Sequence, residues 1–165
     1  MIRIAVVTIS DGVAAGTRED RSGAELVRKS TELGWKVADQ HVVADDVHGI
    51  STLLTALVAS NAIDVILTTG GTGLGPRDVT PEAARAIADR DIPGFGELMR
   101  SEGAKYTPLA ALSRSGAYTR GEVLILTFPG SPKGAIESLE AVAGLIPHAV
   151  DLLHGRTEHH AKPAK

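Results

Sequence analysis

The stretch Asp64-Val-Ile-Leu-Thr-Thr-Gly-Gly-Thr-Gly-Leu-Gly-Pro-Arg-Asp-Val-Thr-Pro81 decides the fold. Residues 63–67 form a short apolar run with the length and β-branched content of a buried strand. Thr80-Pro81-Glu82 reads as a helix start: a capping hydroxyl, a proline at the first helical position and an acid in the first turn. Between them lie Gly70, Gly71, Gly73 and Gly75. Glycine allows positive φ and lets a ligand approach the backbone without meeting a Cβ. Such a loop is expected to turn its amides outward and make a concavity for phosphate or another anion. It is neither of two familiar phosphate loops. Pro76 stands where a dinucleotide fingerprint begun at Gly71 needs its third glycine, and no Gly-Lys-Ser/Thr follows for a Walker A loop. Arg77 and Asp78 at the mouth supply a cation and a carboxylate, able to hold a phosphate and a metal together. A valine at Gly71 is expected to obstruct the anion while leaving the fold largely intact.

Outward from this loop, strand and helix alternate. Residues 2–9 are mostly apolar, as in a strand buried on both faces, and Ser10-Asp11-Gly12 stops them. After a polar loop over 12–21, Ser22 is expected to cap a helix to about residue 33, with Ala24, Leu26, Val27 and Leu33 as apolar positions and Gly34 ending it. A strand over 36–43 closes at Ala44-Asp45-Asp46. A helix over 47–60 follows, with Ile50, Leu53, Leu54, Leu57 and Val58 at helical spacing. Beyond the glycine loop, helices are expected over 80–89 and 95–105, separated by Pro93-Gly94. Residues 107–120 show no clean period. Residues 122–128 are a strand, and Ser131 caps a last helix with Pro132 at its first position. That helix runs to about residue 153, kinked or divided by Pro147. The pattern predicts one α/β domain over 1–154, a three-layer αβα arrangement with a mainly parallel sheet, and a polar, frayed tail over 155–165.

Composition narrows the function. With 17 Lys+Arg against 20 Asp+Glu, a net charge of −3 gives no electrostatic case for a nucleic-acid or membrane-surface binder. The absence of cysteine excludes disulfides and thiolate chemistry. No apolar run approaches the ~18 residues of a membrane span, and no signal peptide is read at the start, so a cytoplasmic location is expected. His41, His48, His148 and His154 are scattered and His159-His160 lies in the tail, a distribution that suits solvated side chains better than a metal site.

The chemistry-bearing residues all follow strands: Ser10-Asp11 the first, Asp45-Asp46 the second, the glycine loop with Asp78 the third, and Pro129-Gly130-Ser131 the last. In a parallel sheet these tips share one edge, where open α/β sheets bind their ligands. Carboxylates at Asp45 and Asp78 facing a phosphate loop suggest Mg²⁺ shared between oxygen ligands and substrate phosphates, as in phosphoryl or nucleotidyl transfer.

These residues carry a resemblance. Thr69-Gly-Gly-Thr-Gly73, Pro76-Arg-Asp-Val-Thr-Pro-Glu82 and Pro93-Gly-Phe-Gly-Glu97 resemble the MogA/MoaB family of molybdenum cofactor biosynthesis and the related plant and gephyrin G domains. Ser10-Asp11, Leu112-Ser-Arg-Ser115 and Phe128-Pro-Gly-Ser131 match further motifs in order, to about residue 153. The resemblance implies a three-layer α/β domain, usually a homotrimer, that uses Mg²⁺-ATP to adenylylate the terminal phosphate of molybdopterin with release of pyrophosphate. Asp45 and Asp78 map onto the family's catalytic, metal-binding aspartates. Substrate recognition maps onto Ser10, Asp11, Gly70, Gly71, Thr72, Gly73, Arg77, Ser115, Pro129, Gly130 and Ser131. A downstream molybdenum insertase is the implied partner. Active members often read Pro-Asp-Glu where this chain has Ala44-Asp45-Asp46, which leaves open whether Asp45 or Asp46 faces the cleft. The alternative is a non-catalytic MoaB-type trimer that carries the pterin or hands it over.

Overall fold

Along β1 (Arg3–Ile9) the side chains alternate between two cores. Ile4 and Val6 enter one, and Ala5, Val7 and Ile9 the other. A strand whose side chains from Ile4 to Ile9 are buried on both faces needs cover on each, and the chain supplies it in three layers. The computed structural model describes residues 1–156. The remaining strands are β2 (Lys36–Val43), β3 (Val65–Thr69), β4 (Arg90–Asp91), β5 (Gly116–Arg120) and β6 (Val123–Phe128). The sheet order is β2-β1-β3-β6-β5-β4. β2, β1, β3 and β6 pair in parallel, while β5 runs antiparallel to both β6 and β4.

The helices are α1 (Asp11–Ala14), α2 (Arg21–Glu32), α3 (Val47–Ala59), α4 (Thr80–Ile87), α5 (Pro93–Gly103), α6 (Pro132–Val142) and α7 (Ile146–Leu153). Leu26 of α2, Phe95 and Met99 of α5, Leu139 of α6 and Ile146 and Val150 of α7 pack on one face of the sheet. Ile50, Leu54 and Leu57 of α3 and Ala83 and Ala84 of α4 cover the other. The expected three-layer α/β arrangement is thus present. No described helix is long and apolar enough to cross a membrane.

Several local expectations change. The segment after β1 opens with the one-turn α1, and α2 is capped by Asp20, whose Oδ1 accepts from the Gly23 amide at 2.9 Å. Ser22 is buried inside the first turn instead, and Ala24 and Leu33 face solvent. Proline fits a first helical turn, so Pro93 opens α5 where it was expected to interrupt. The aperiodic segment 107–120 resolves into a 3-10 turn, Pro108–Leu112, and the strand β5. Pro147 divides the last helix, with α7 beginning next to it. The tail expected to fray lies, from residue 157 on, outside the described residues.

Candidate active site

The parallel pairing sets the carboxyl ends of β2, β1, β3 and β6 side by side. A cleft of about 720 Å³ opens there, lined by Ser10, Asp45, Gly70, Gly71, Asp78, Gly130 and Ser131 among others. The N-terminus of α6 faces it, with Ser131 Oγ accepting from the Gly134 amide at 3.2 Å and Pro132 in the first turn. The positive end of a helix favours an anion at this position.

The glycine loop is pinned at several points. Gly70 and Gly71 have φ of 105° and 66°, the left-handed region that glycine tolerates. The Gly70 amide donates to the Phe128 carbonyl at 3.1 Å, and Thr69 Oγ1 to the Pro129 carbonyl at 2.7 Å. Thr80 does not cap α4, whose N-cap is Val79 without a side-chain bond. Its buried hydroxyl donates to the Gly70 carbonyl at 2.8 Å and closes the loop on itself. Arg114 ties the far side, donating from Nε to the Gly73 carbonyl at 2.8 Å and from Nη2 to the Asp78 carbonyl at 2.7 Å while pairing with Glu82. The amides of Gly71, Thr72, Gly73 and Leu74 find no acceptor among the described residues. Four successive free donors on a pinned loop have the chemistry to accept an anion.

A Cβ at Gly71 would overlap Thr80 Oγ1 and stand 3.1 Å from Asp45 Oδ1. The sequence expectation that valine there spares the fold is therefore corrected, because the side chain meets the protein's own staple before it meets a ligand.

The acids divide by what they touch. Asp46 caps α3, its Oδ2 accepting from the Gly49 amide at 2.7 Å, whereas Asp45 lines the cleft. Asp11 and Asp45 clasp each other: the Asp11 amide donates to Asp45 Oδ2 at 2.9 Å and the Asp45 amide to Asp11 Oδ1 at 3.0 Å. Arg77 grips Asp11 with both Nε (3.0 Å) and Nη2 (2.9 Å), in place of the phosphate expected for it. That grip, with the Asp45 amide, lowers the Asp11 pKa. Asp45 goes the other way. Burial raises it most, the charges of Asp11 and Asp78 add to this, and the Asp11 amide and Arg77 only partly offset it. Asp78 Oδ2 accepts from the Gly75 amide at 2.8 Å. Asp45 Oδ1 and Asp78 Oδ1 accept nothing among the described residues.

Seven of the residues singled out from the sequence thus line one cleft. Asp11, Arg77 and Pro129 stand behind its rim and hold it in shape. Thr72 and Ser115 are buried behind the loop, hydroxyl to hydroxyl at 3.4 Å, and Gly73 serves as a carbonyl acceptor for Arg114. Sequence reading missed Arg18, Asp20 and Ser22 in the lining, and Arg114 as the loop's fastener. The signal for Arg114 was its place inside Leu112-Ser-Arg-Ser115.

Residues 5–148 match the family described as a probable molybdopterin binding domain. The chain is 41% identical over 156 residues to a molybdopterin adenylyltransferase of Helicobacter pylori, covering 93% of this chain and 89% of that protein. A molybdopterin adenylyltransferase of Escherichia coli is 35% identical over 169 residues, covering 93% and 86%. Among solved structures, the molybdopterin biosynthesis enzyme MoaB of Thermus thermophilus superposes with a TM-score of 0.88 at 46% identity, covering 94% of this chain and 98% of that one. Fold and sequence agree over nearly the full length, and the chain belongs to the MogA/MoaB family of molybdenum cofactor biosynthesis.

Proposed function

We propose that this protein is a molybdopterin adenylyltransferase that moves AMP from Mg-ATP to the terminal phosphate of molybdopterin and releases pyrophosphate. One observation carries the reading: two carboxylates with unfilled oxygens, Asp45 and Asp78, line the same cleft as Gly71, whose amide opens a run of four unfilled backbone donors. Donors alone would suit any anion. Carboxylates beside them would repel a phosphate unless a cation joins them.

In the reaction, an oxygen of the pterin phosphate bonds to the α-phosphorus of ATP. The α–β P–O bond breaks, and its electron pair leaves with pyrophosphate. The attacking oxygen is already anionic, so no strong base is required. The protein's task is to position two anions and offset their repulsion. The Gly71 amide donates to a phosphate oxygen, assisted by the Ser10 and Ser131 hydroxyls and the N-terminus of α6. Arg77 works through Asp11, holding the clasp that aims Asp45 into the cleft. Thr72, Gly73 and Ser115 keep the loop in shape from behind.

Asp45 and Asp78 fit Mg²⁺, which takes one or two carboxylates and completes its shell with water and substrate phosphates. Among the described residues no group of three or more His, Cys, Asp or Glu is placed to hold a metal ion by itself, so water and substrate oxygens would complete the shell. When bound, the ion supplies neutralisation of phosphate charge. The assembly is a homotrimer in this reading; the exposed Leu74, Leu109 and Leu112 offer apolar surface for a neighbour. The adenylylated pterin then passes to a molybdenum insertase.

Incubation with molybdopterin, ATP and Mg²⁺ is expected to release pyrophosphate, and chelation to stop it. Tight pterin binding without any pyrophosphate would leave a carrier in place of an enzyme. Light scattering at micromolar concentration is expected to give the trimer mass, and a monomer there would sink the assembly.

A further inference from the structure

A second cavity, of about 310 Å³, lies behind the glycine loop and shares no lining residue with the main cleft. Arg85, Arg100, Arg114 and Tyr118 meet on its wall, with Asp91 as its acid. Arg114 is already engaged with Glu82 and two carbonyls of the glycine loop, and Arg85 pairs with Asp91 at 3.2 Å. Arg100 has no carboxylate partner among the described residues. Its Nη1 donates to the carbonyls of Ser113 (3.2 Å) and Ser115 (2.9 Å), leaving the N–H groups of Nε and Nη2 without acceptors. Glycine in the first turn of α5 allows this close packing: a Cβ at Gly96 would stand 2.6 Å from the Ser115 carbonyl oxygen and 3.1 Å from both terminal nitrogens of Arg100.

Tyr118 adds an independent signal. It is only 3% exposed, yet its hydroxyl makes no hydrogen bond among the described residues. Arg85 lies 5.9 Å from the centre of its ring. Burial is the chief cause of its raised pKa, so the phenol stays protonated and able to donate through neutral pH. A half-buried guanidinium without an acid and a phenol that lines the same cavity with no protein acceptor are donors suited to an oxyanion, and planar guanidinium forks suit phosphate oxygens best.

We propose that this cavity is a second anion site, holding a small phosphate-type oxyanion through Arg100, Arg85 and the Tyr118 hydroxyl. Its occupant touches Arg114, the residue that fastens the glycine loop to the body of the protein.

The chain has two tyrosines, which makes the test local. In the full chain labelled with 3-fluorotyrosine, the ¹⁹F signals of Tyr118 and the exposed Tyr106 are followed during titration with inorganic phosphate and, separately, pyrophosphate at constant ionic strength. A saturable shift of Tyr118, with Tyr106 unmoved, is expected from at least one anion, and which one identifies the ligand's size. Arg100→Lys keeps the charge and loses the fork, and should weaken the apparent affinity about tenfold. Should that variant fail to fold, Arg85→Gln, altered at a side chain 61% exposed, carries the same comparison. A Tyr118 signal that ignores both anions overturns the proposal. So does a shift of undiminished affinity in the folded variant, which would report binding in the main cleft instead.

Discussion

Both ends of the parallel strands carry a buried or half-buried aspartate, and the two are treated oppositely. At the amino end, Asp64 accepts from the Arg3 amide (2.7 Å), Nε (3.1 Å) and Nη2 (2.6 Å). Burial alone would raise its pKa, but the Arg3 bonds outweigh it and hold the carboxyl below its usual range. At the carboxyl end, Asp45 receives one amide and faces Asp11 and Asp78, and its pKa is raised. The protein satisfies the first acid with its own cation and leaves the second in want of one. The first contributes stability, and in the proposed reaction the second takes an ion from outside.

The largest effect expected from breaking this contrast is at the cleft. Asp78→Asn and Asp45→Asn keep shape and remove charge, so each should cut pyrophosphate release at saturating pterin about a hundredfold or more, with pterin affinity retained in a direct titration. The double variant should be little worse than either single one, because both residues serve one unit. Normal turnover in Asp78→Asn, or equal loss of pterin binding, would remove the metal assignment.

At the other end the loss should fall on stability. Asp64→Ala strands the Arg3 amide and guanidinium. Removing one partner of a fully buried pair costs ~3–5 kcal/mol, and with the Arg3 side chain 39% exposed we expect about 2 kcal/mol by denaturant unfolding. Activity per folded molecule should be unchanged. An inactive but stable Asp64→Ala would reverse the division of labour.

A smaller effect concerns pH. Because Asp64's folded pKa is lowered, its contribution is present above the unfolded pKa of about 3.9 and is lost as pH falls through the folded value. Asp45's is raised, so its charge weighs against the fold as pH rises through that value. Mg²⁺-dependent activity should therefore fail on acidification at a higher pH than the fold does. The smallest effect sharpens the point: without Mg²⁺ at neutral pH, Asp45→Asn should melt slightly above the wild type, and a lower melting temperature would mean that Asp45 is structural.

What was legible in the sequence was local or periodic. The alternation of strand and helix, the Ser131-Pro132 helix start and the glycine loop each rest on neighbours within a few residues, and all appear as expected. The rest needed contacts that sequence spacing does not encode. Asp45 and Asp46 are adjacent acids, and only the cap on Gly49 separates their roles. Thr80 had the neighbours of a cap, but its hydroxyl reaches Gly70, ten residues away. β5 escaped because Gly116–Arg120 carries only Ala117 and Tyr118 as apolar positions and is held by pairing with β6.

The pinning of the glycine loop by Thr80, Thr69 and Arg114 has a thermodynamic consequence. A flexible loop would have to give up conformational entropy each time it wrapped a phosphate. Here the ordering is complete when the chain folds, so a phosphate bound as proposed would meet amides already in place and little backbone freedom would be lost on association. Hydrogen exchange of the loop amides should be slowed by the ligand's direct contacts, with no spread of protection into α4 or β3.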